Sequence, residues 1–138
     1  MSELVRFGVS IEGDLLQRFD TAIAARSYEN RSEAIRDLIR KMLVEGEWAH
    51  PEAHVVATIS LVYDHHKSDL MQRLAHIQHH HLQEIVSSTH IHLDSDNCLE
   101  VLIVRGRAAS IQRLAERLSA LKGVLFHNAS FSTTGRNL

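Results

Sequence analysis

The chain has 138 residues, 44% of them hydrophobic and 23% charged, a globular composition sufficient for one ordinary domain or two small ones. No window of about 18 apolar residues occurs, so no membrane span is expected, and the single cysteine excludes an intrachain disulfide framework and fits a reducing compartment. A net charge of −2 gives no basic field for nucleic acid, so DNA contact would have to rest on a local patch, with Arg31, Arg36, Arg40 and Lys41 as candidates. The first residues lack the basic start and apolar run of a secretory signal, and the expected location is the cytoplasm.

Val5, Phe7, Val9 and Ile11 alternate with Leu4, Arg6, Gly8 and Ser10, the period-two pattern of a strand with one apolar face. Glu12-Gly13-Asp14 reads as a turn, with Asp14 placed to cap a helix carrying Leu15, Leu16, Phe19 and Ile23. Ser27-Tyr28-Glu29 breaks that helix. Asn30 starts a second one, with Glu33 at capping-box spacing and a stripe of Ala34, Ile35, Leu38, Ile39, Met42 and Leu43 expected to be buried. One strand and two helices cannot bury an adequate core alone, and a lone strand has unpaired edges. A two-fold dimer would pair two such strands as an antiparallel ribbon, a shape that fits the DNA major groove, with Arg6, Gly8 and Ser10 outward.

Residues 1–48 are therefore assigned to a βαα module, 49–53 to a linker and 54–138 to a second domain, a division of α/β (α+β) class. The second domain reads as strand 54–63, helix 66–84, strand 85–94, strand 97–105, helix 108–121 and strand 124–133. That βαββαβ order is the ferredoxin-like, split-βαβ arrangement.

Histidine is the outlier of the composition. There are 11, and 10 of them lie between His50 and His92. His90 and His92 are two apart on a strand, so both leave the same face. Cys98 belongs to the next strand. It can stand beside them only if the intervening turn has an odd number of residues; a two-residue turn at Ser95-Asp96 would put Cys98 opposite Leu93 on the wrong face. Imidazoles and a thiolate suit a borderline-to-soft divalent metal. A fourth donor must come from elsewhere, and His76, His79 and His80 share one helix face at i, i+3, i+4. His80 and His81 read as a solvated helix end.

Over nearly its whole length the chain resembles the nickel-responsive regulator (NikR) family. The matching blocks are Asn30-Arg31-Ser32-Glu33-Ala34-Ile35-Arg36-Asp37, Val62-Tyr63-Asp64-His65, Gln78-His79-His80-His81, Thr89-His90-Ile91-His92 and Asp96-Asn97-Cys98-Leu99-Glu100. The first block alone is a general ribbon-helix-helix signature; the H-x-H and Cys-Leu-Glu blocks are specific. The resemblance implies a ribbon-helix-helix domain and an ACT-type domain. It implies a nickel(II) site of His90, His92, Cys98 and His79, with His79 reaching the site of a neighbouring subunit in the family. It also implies a homotetramer, built as a dimer of dimers, that binds double-stranded operator DNA as a repressor. A closed four-donor site offers neither the open coordination position nor the positioned base of a metallohydrolase, so no enzymatic activity is expected. Three nitrogens and a thiolate supply in-plane donors that favour a planar d⁸ ion, whereas zinc takes a tetrahedral set. The alternative is a regulator answering another divalent metal, or a small metabolite through the ACT-type domain.

The remaining expectations concern the edges of these sites. Arg6 can bind guanine in a fork and Ser10 can donate or accept. Gly8 stands where the family's better-known members carry a side chain. The helix start at Asn30, Arg31 and Ser32 offers N–H groups to a phosphate. Lys67 matches a family position that touches phosphates, and Ser27 one where a turn glycine is usual. Glu33 and Asp37, one turn apart, match a pair that holds a hard cation such as potassium. Asp64 and His65 match a weaker metal site.

Overall fold

The structure is a computed structural model that describes residues 2–67 and 69–138. The chain divides into two compact units, Met1–Lys41 and Met42–Leu138.

In the first unit, helix α1 (Gly13–Ala25) and the start of helix α2 (Arg31–Ala49) form, but the expected strand over Val5–Ile11 does not. Leu4, Val5, Phe7 and Val9 are 68–88% exposed. The reason is physical: a strand needs a hydrogen-bonding neighbour, and the described residues of the first unit supply none. The apolar stripe of α2 likewise stays open. Ala34 is buried, whereas Leu38, Ile39, Met42 and Leu43 are exposed. Glu12, not Asp14, is the α1 N-cap, and no side chain caps that end; Asp14 sits in the first turn, where its charge meets the positive end of the helix dipole. Asn30 does cap α2, its Oδ1 accepting from Glu33 N at 3.0 Å. Ser27 adopts φ 62°, so it takes the left-handed conformation that glycine would take without cost.

In the second unit, α2 runs on to Ala49, the first residue of the span 49–53 assigned to a linker. Trp48 anchors this end of the helix. It is 8% exposed, its ring centroid lies 4.5 Å from that of Phe131, and its Nε1 donates to Ser132 O at 2.8 Å. Residues 49–53 are also structural. The carbonyls of Ala53 and Pro51 accept from Ala108 N and Ala109 N at 2.9 and 3.1 Å, satisfying two otherwise free donors at the start of helix α4 (Ala108–Ser119).

Strand β1 (His54–Asp64) is central in a four-stranded antiparallel sheet of order β2-β3-β1-β4, with β2 spanning Ile85–His92, β3 Asn97–Arg107 and β4 Val124–Phe131. With α3 (Leu70–His80) and α4 the order is the expected ferredoxin-like βαββαβ, and the protein is of mixed α+β class. One face is the core. Val55, Ala57, Ile59, Leu61 and Tyr63 of β1 alternate inward and meet Leu70, Leu74 and Ile77 of α3 and Ile111, Leu114 and Leu118 of α4. The other face lies open, with Ile91, Ile103 and Phe126 42–61% exposed.

Helix α3 is shorter than the expected 66–84 span. It begins at Leu70, after Asp69, while Asp64 Oδ1 accepts from His66 N at 2.8 Å and His65 and His66 lie in a turn. Ser68, inside the expected helix, lies outside the described residues. The far end closes at His81, whose N–H bonds Gln78 O at 3.1 Å.

Candidate metal centre

The β2–β3 hairpin sets the site. Leu93 N bonds Asn97 O at 2.9 Å, so the loop proper is the three residues Asp94, Ser95 and Asp96. An odd loop is what the face argument requires, and it pairs His92 with Cys98 and His90 with Glu100. The Asp94 carboxylate makes the turn: it accepts from Asp96 N and Asn97 N, both at 2.8 Å, and from Asn97 Nδ2 at 3.1 Å. Those N–H groups hold it below the usual carboxylate range.

Cys98 Sγ lies 3.4 Å from His92 Nδ1 and 3.5 Å from His65 Nδ1. These three donors, from β2, β3 and the turn after β1, lie within 4.8 Å of one another. Two imidazoles and a sulfur at that spacing fit the ligand chemistry of a borderline divalent ion. The set differs from the expected one in two places. His65, assigned with Asp64 to a separate weaker site, joins His92 and Cys98. His90 and His79 stand outside the cluster.

His90 is nonetheless close, its ring centroid 5.2 Å from that of His92. Its Nδ1 lies 3.1 Å from Tyr63 Oη, and the same hydroxyl reaches Glu100 Oε2 at 3.1 Å. A carboxylate accepts, so the hydroxyl proton goes to Glu100 and Nδ1 of His90 must donate to the hydroxyl oxygen. That assignment leaves Nε2 of His90 with its lone pair free for a metal. His79 lies on the exposed surface of α3, and no donor of its own chain's cluster is its neighbour.

Glu100 was not singled out as a site residue, yet it ties the site together. Its Oε1 accepts from Gln78 Nε2 at 2.7 Å and from Ser88 Oγ at 2.9 Å, and its Oε2 from Tyr63. One carboxylate, 7% exposed, thus joins α3, β1 and β2 to the strand that carries Cys98. The signal was present in the sequence: Glu100 is two residues from Cys98 on a strand, hence on the same buried face. Burial, then the Asp94, Glu100 and Asp64 carboxylates, push the Cys98 thiol above its ordinary value. Burial and the neighbouring Glu100 charge push Tyr63 well above the usual phenol range. The free thiol therefore keeps its proton at neutral pH, and an ion must displace that proton to bind sulfur.

In the first unit, the candidate DNA and cation residues have partners of their own. The Arg31 guanidinium grips Asp20 through two contacts of 2.8 Å. Asp37 accepts from Tyr28 Oη at 2.7 Å and Arg40 Nη1 at 3.2 Å. Arg6, Gly8 and Ser10 are exposed, as are Ser32 and Lys67, and Glu33 is half-buried.

Comparison with known proteins agrees with this geometry. Residues 56–132 match the family described as the NikR C terminal nickel binding domain. The chain is 50% identical over 138 residues to a protein of Nitratidesulfovibrio vulgaris (strain Miyazaki F), covering 100% of this chain and 99% of that one. It is 51% identical to one of Solibacter usitatus, with the same coverage, and 50% identical over 135 residues to one of Pyrococcus furiosus, with 98% of each chain covered. All three are named as nickel-responsive regulators. The chain belongs to the nickel-responsive regulator family. That family is one of transcription regulators, not enzymes. Among solved structures, an uncharacterized protein from Thermotoga maritima shares the fold with a TM-score of 0.51 at 11% identity, covering 56% of this chain and 96% of that one. Among the described residues, no helix is long and apolar enough to cross a membrane.

Proposed function

We propose that this protein is a nickel-dependent transcriptional repressor that acts in the cytoplasm as a homotetramer. The observation that carries the reading is the hairpin register: it sets Cys98 Sγ 3.4 Å from His92, with His90 next along the same face. Nickel would take Cys98, His90 and His92 from one chain and His79 from another. The exposure of His79 supports donation in trans. His65 would be a loading or alternative donor, with Asp64 beside it, because its Nδ1 already stands 3.5 Å from the sulfur.

The open apolar face of the sheet supports assembly of ACT-type domains into the tetramer. The bare strand sequence at Val5–Ile11 and the open α2 stripe support ribbon-helix-helix dimers at its ends. Arg6, Gly8 and Ser10 would face the major groove of a dyad-symmetric operator. Asn30, Arg31, Ser32 and Lys67 would meet phosphates. Glu33 and Asp37 would hold potassium when DNA is bound, and Asp37 would first have to release Tyr28. Nickel acts as a switch only if it prefers the DNA-competent arrangement. A hundredfold preference amounts to about 2.7 kcal/mol of coupling, and DNA must then tighten nickel by the same factor.

The absorption spectrum of the nickel-loaded full chain tests the site. Thiolate-to-nickel charge-transfer bands are expected, and they should vanish in Cys98→Ala. Bands that persist in that variant exclude this coordination set. Operator binding that is indifferent to nickel would leave the site intact and end the regulatory reading.

A further inference from the structure

Helix α3 carries imidazoles that the centre described above does not use. His76 and His80 stand one turn apart on its exposed side. Their ring centroids are 4.2 Å apart, whereas His79 lies 6.0 Å from His80 at a steep angle.

The hydrogen bonding of this pair is what makes it a candidate for a ligand. His80 Nδ1 lies 2.8 Å from His76 O. A carbonyl oxygen only accepts, so Nδ1 carries the proton and Nε2 keeps its lone pair. A ring nitrogen donating to a backbone carbonyl while the other is free is the arrangement usual in metal-ligating histidines, because it fixes both tautomer and ring orientation. Two metal–nitrogen bonds of about 2.0–2.1 Å can span up to about 4 Å, a separation within reach of adjacent turns. The nearby cations are already engaged. Arg73 pairs with Asp69 at 3.7 Å, and Arg117 Nη1 meets His81 Nε2 at 3.2 Å. His76 also borders a cleft of about 600 Å³ between α3 and the end of α4, giving water room beside the ring.

We propose that His76 and His80 form a second, weaker site for a borderline divalent ion such as zinc or nickel, with water completing the shell. Filling it would clip together the last turns of the helix that presents His79. The effect matters because α3 has only 11 residues, a length at which an isolated helix is marginal. An ion bound only to the ordered helix stabilises that order by mass action.

Zinc, which is diamagnetic, is the probe. In the full chain preloaded with one equivalent of nickel, histidine side-chain ¹H–¹⁵N spectra should show the His76 and His80 Nε2 resonances moving together as zinc is added. Amide exchange in α3 should slow in parallel. His76→Gln and His80→Gln should each lower this zinc affinity by at least about tenfold, while the preloaded nickel stays bound. Repeating the titration in Cys98→Ala separates the two sites: the His76 and His80 shifts should survive there even if the nickel site proves to be built otherwise. The proposal is overturned if either Nε2 resonance is unmoved at saturating zinc, or if both glutamine variants bind zinc as the parent does.

Discussion

The two units of this chain solve the same problem differently. The second unit buries its own apolar residues: Leu102, Ile111, Leu114 and Leu118 are fully enclosed around β1. Among the described residues of the first unit only Ile23 and Ala34 are buried, and Phe7 and Val9 are 68–69% exposed. The first unit has excellent local signals, including a capped helix and an ion pair, but local signals do not remove apolar surface from water. An element can be well specified in sequence and still leave its apolar side in water. The same lesson applies in part to the second unit, whose sheet has one satisfied face and one open one.

The largest expected effect tests self-sufficiency directly. Leu114→Ala should destabilise the second unit by about 2–5 kcal/mol, because the cavity opens in a closed core. Chemical denaturation followed by the Trp48 fluorescence would read it. Phe7→Ala should behave in the opposite sense. It should scarcely move that transition, yet abolish association of the first unit and nickel-dependent operator binding, read by sedimentation and gel shift. A large fall in the denaturation midpoint with Phe7→Ala, unchanged by protein concentration, would break the comparison.

Glu100→Gln comes next. The amide cannot accept at every position the carboxylate serves, so at least one of Gln78, Ser88 and Tyr63 loses its acceptor. A cost of about 1–3 kcal/mol is expected, along with faster amide exchange around Gln78. A variant as stable as the parent would mean that the carboxylate does not tie α3 to the sheet. Asn30→Ala should cost about 1 kcal/mol by removing the α2 cap, and helical content measured by circular dichroism should fall slightly.

The smallest effect is a pH dependence in the first unit. The Tyr28 hydroxyl bond, aided by Arg40, holds Asp37 below its ordinary value, and the Arg31 pair does the same for Asp20. A lowered carboxylate stabilises the folded state at pH values above its unfolded pKa. That contribution fades as pH falls through the lowered folded value. Tyr28→Phe should flatten the acid limb of the α1–α2 unfolding profile and leave the neutral region nearly unchanged. Both groups are surface-exposed, so high salt should weaken the Arg31–Asp20 part of the effect.

The period-two run at 54–63, the helical stripe at 108–121 and the order βαββαβ were legible from residue pattern, because a core face repeats with the geometry of its element. The odd-loop requirement between His92 and Cys98 was legible too, since side-chain alternation leaves no other way to share a face. Tertiary structure decided the rest. The Asp64–His66 turn precedes α3 and leaves His65 beside the sulfur, and Trp48 anchors the end of α2 by packing on Phe131. Glu100 gathers donors from three elements that lie far apart in the chain. Periodicity records which side of an element avoids water. It cannot record which distant polar group a buried carboxylate or thiol will meet, because that depends on how the elements close on one another.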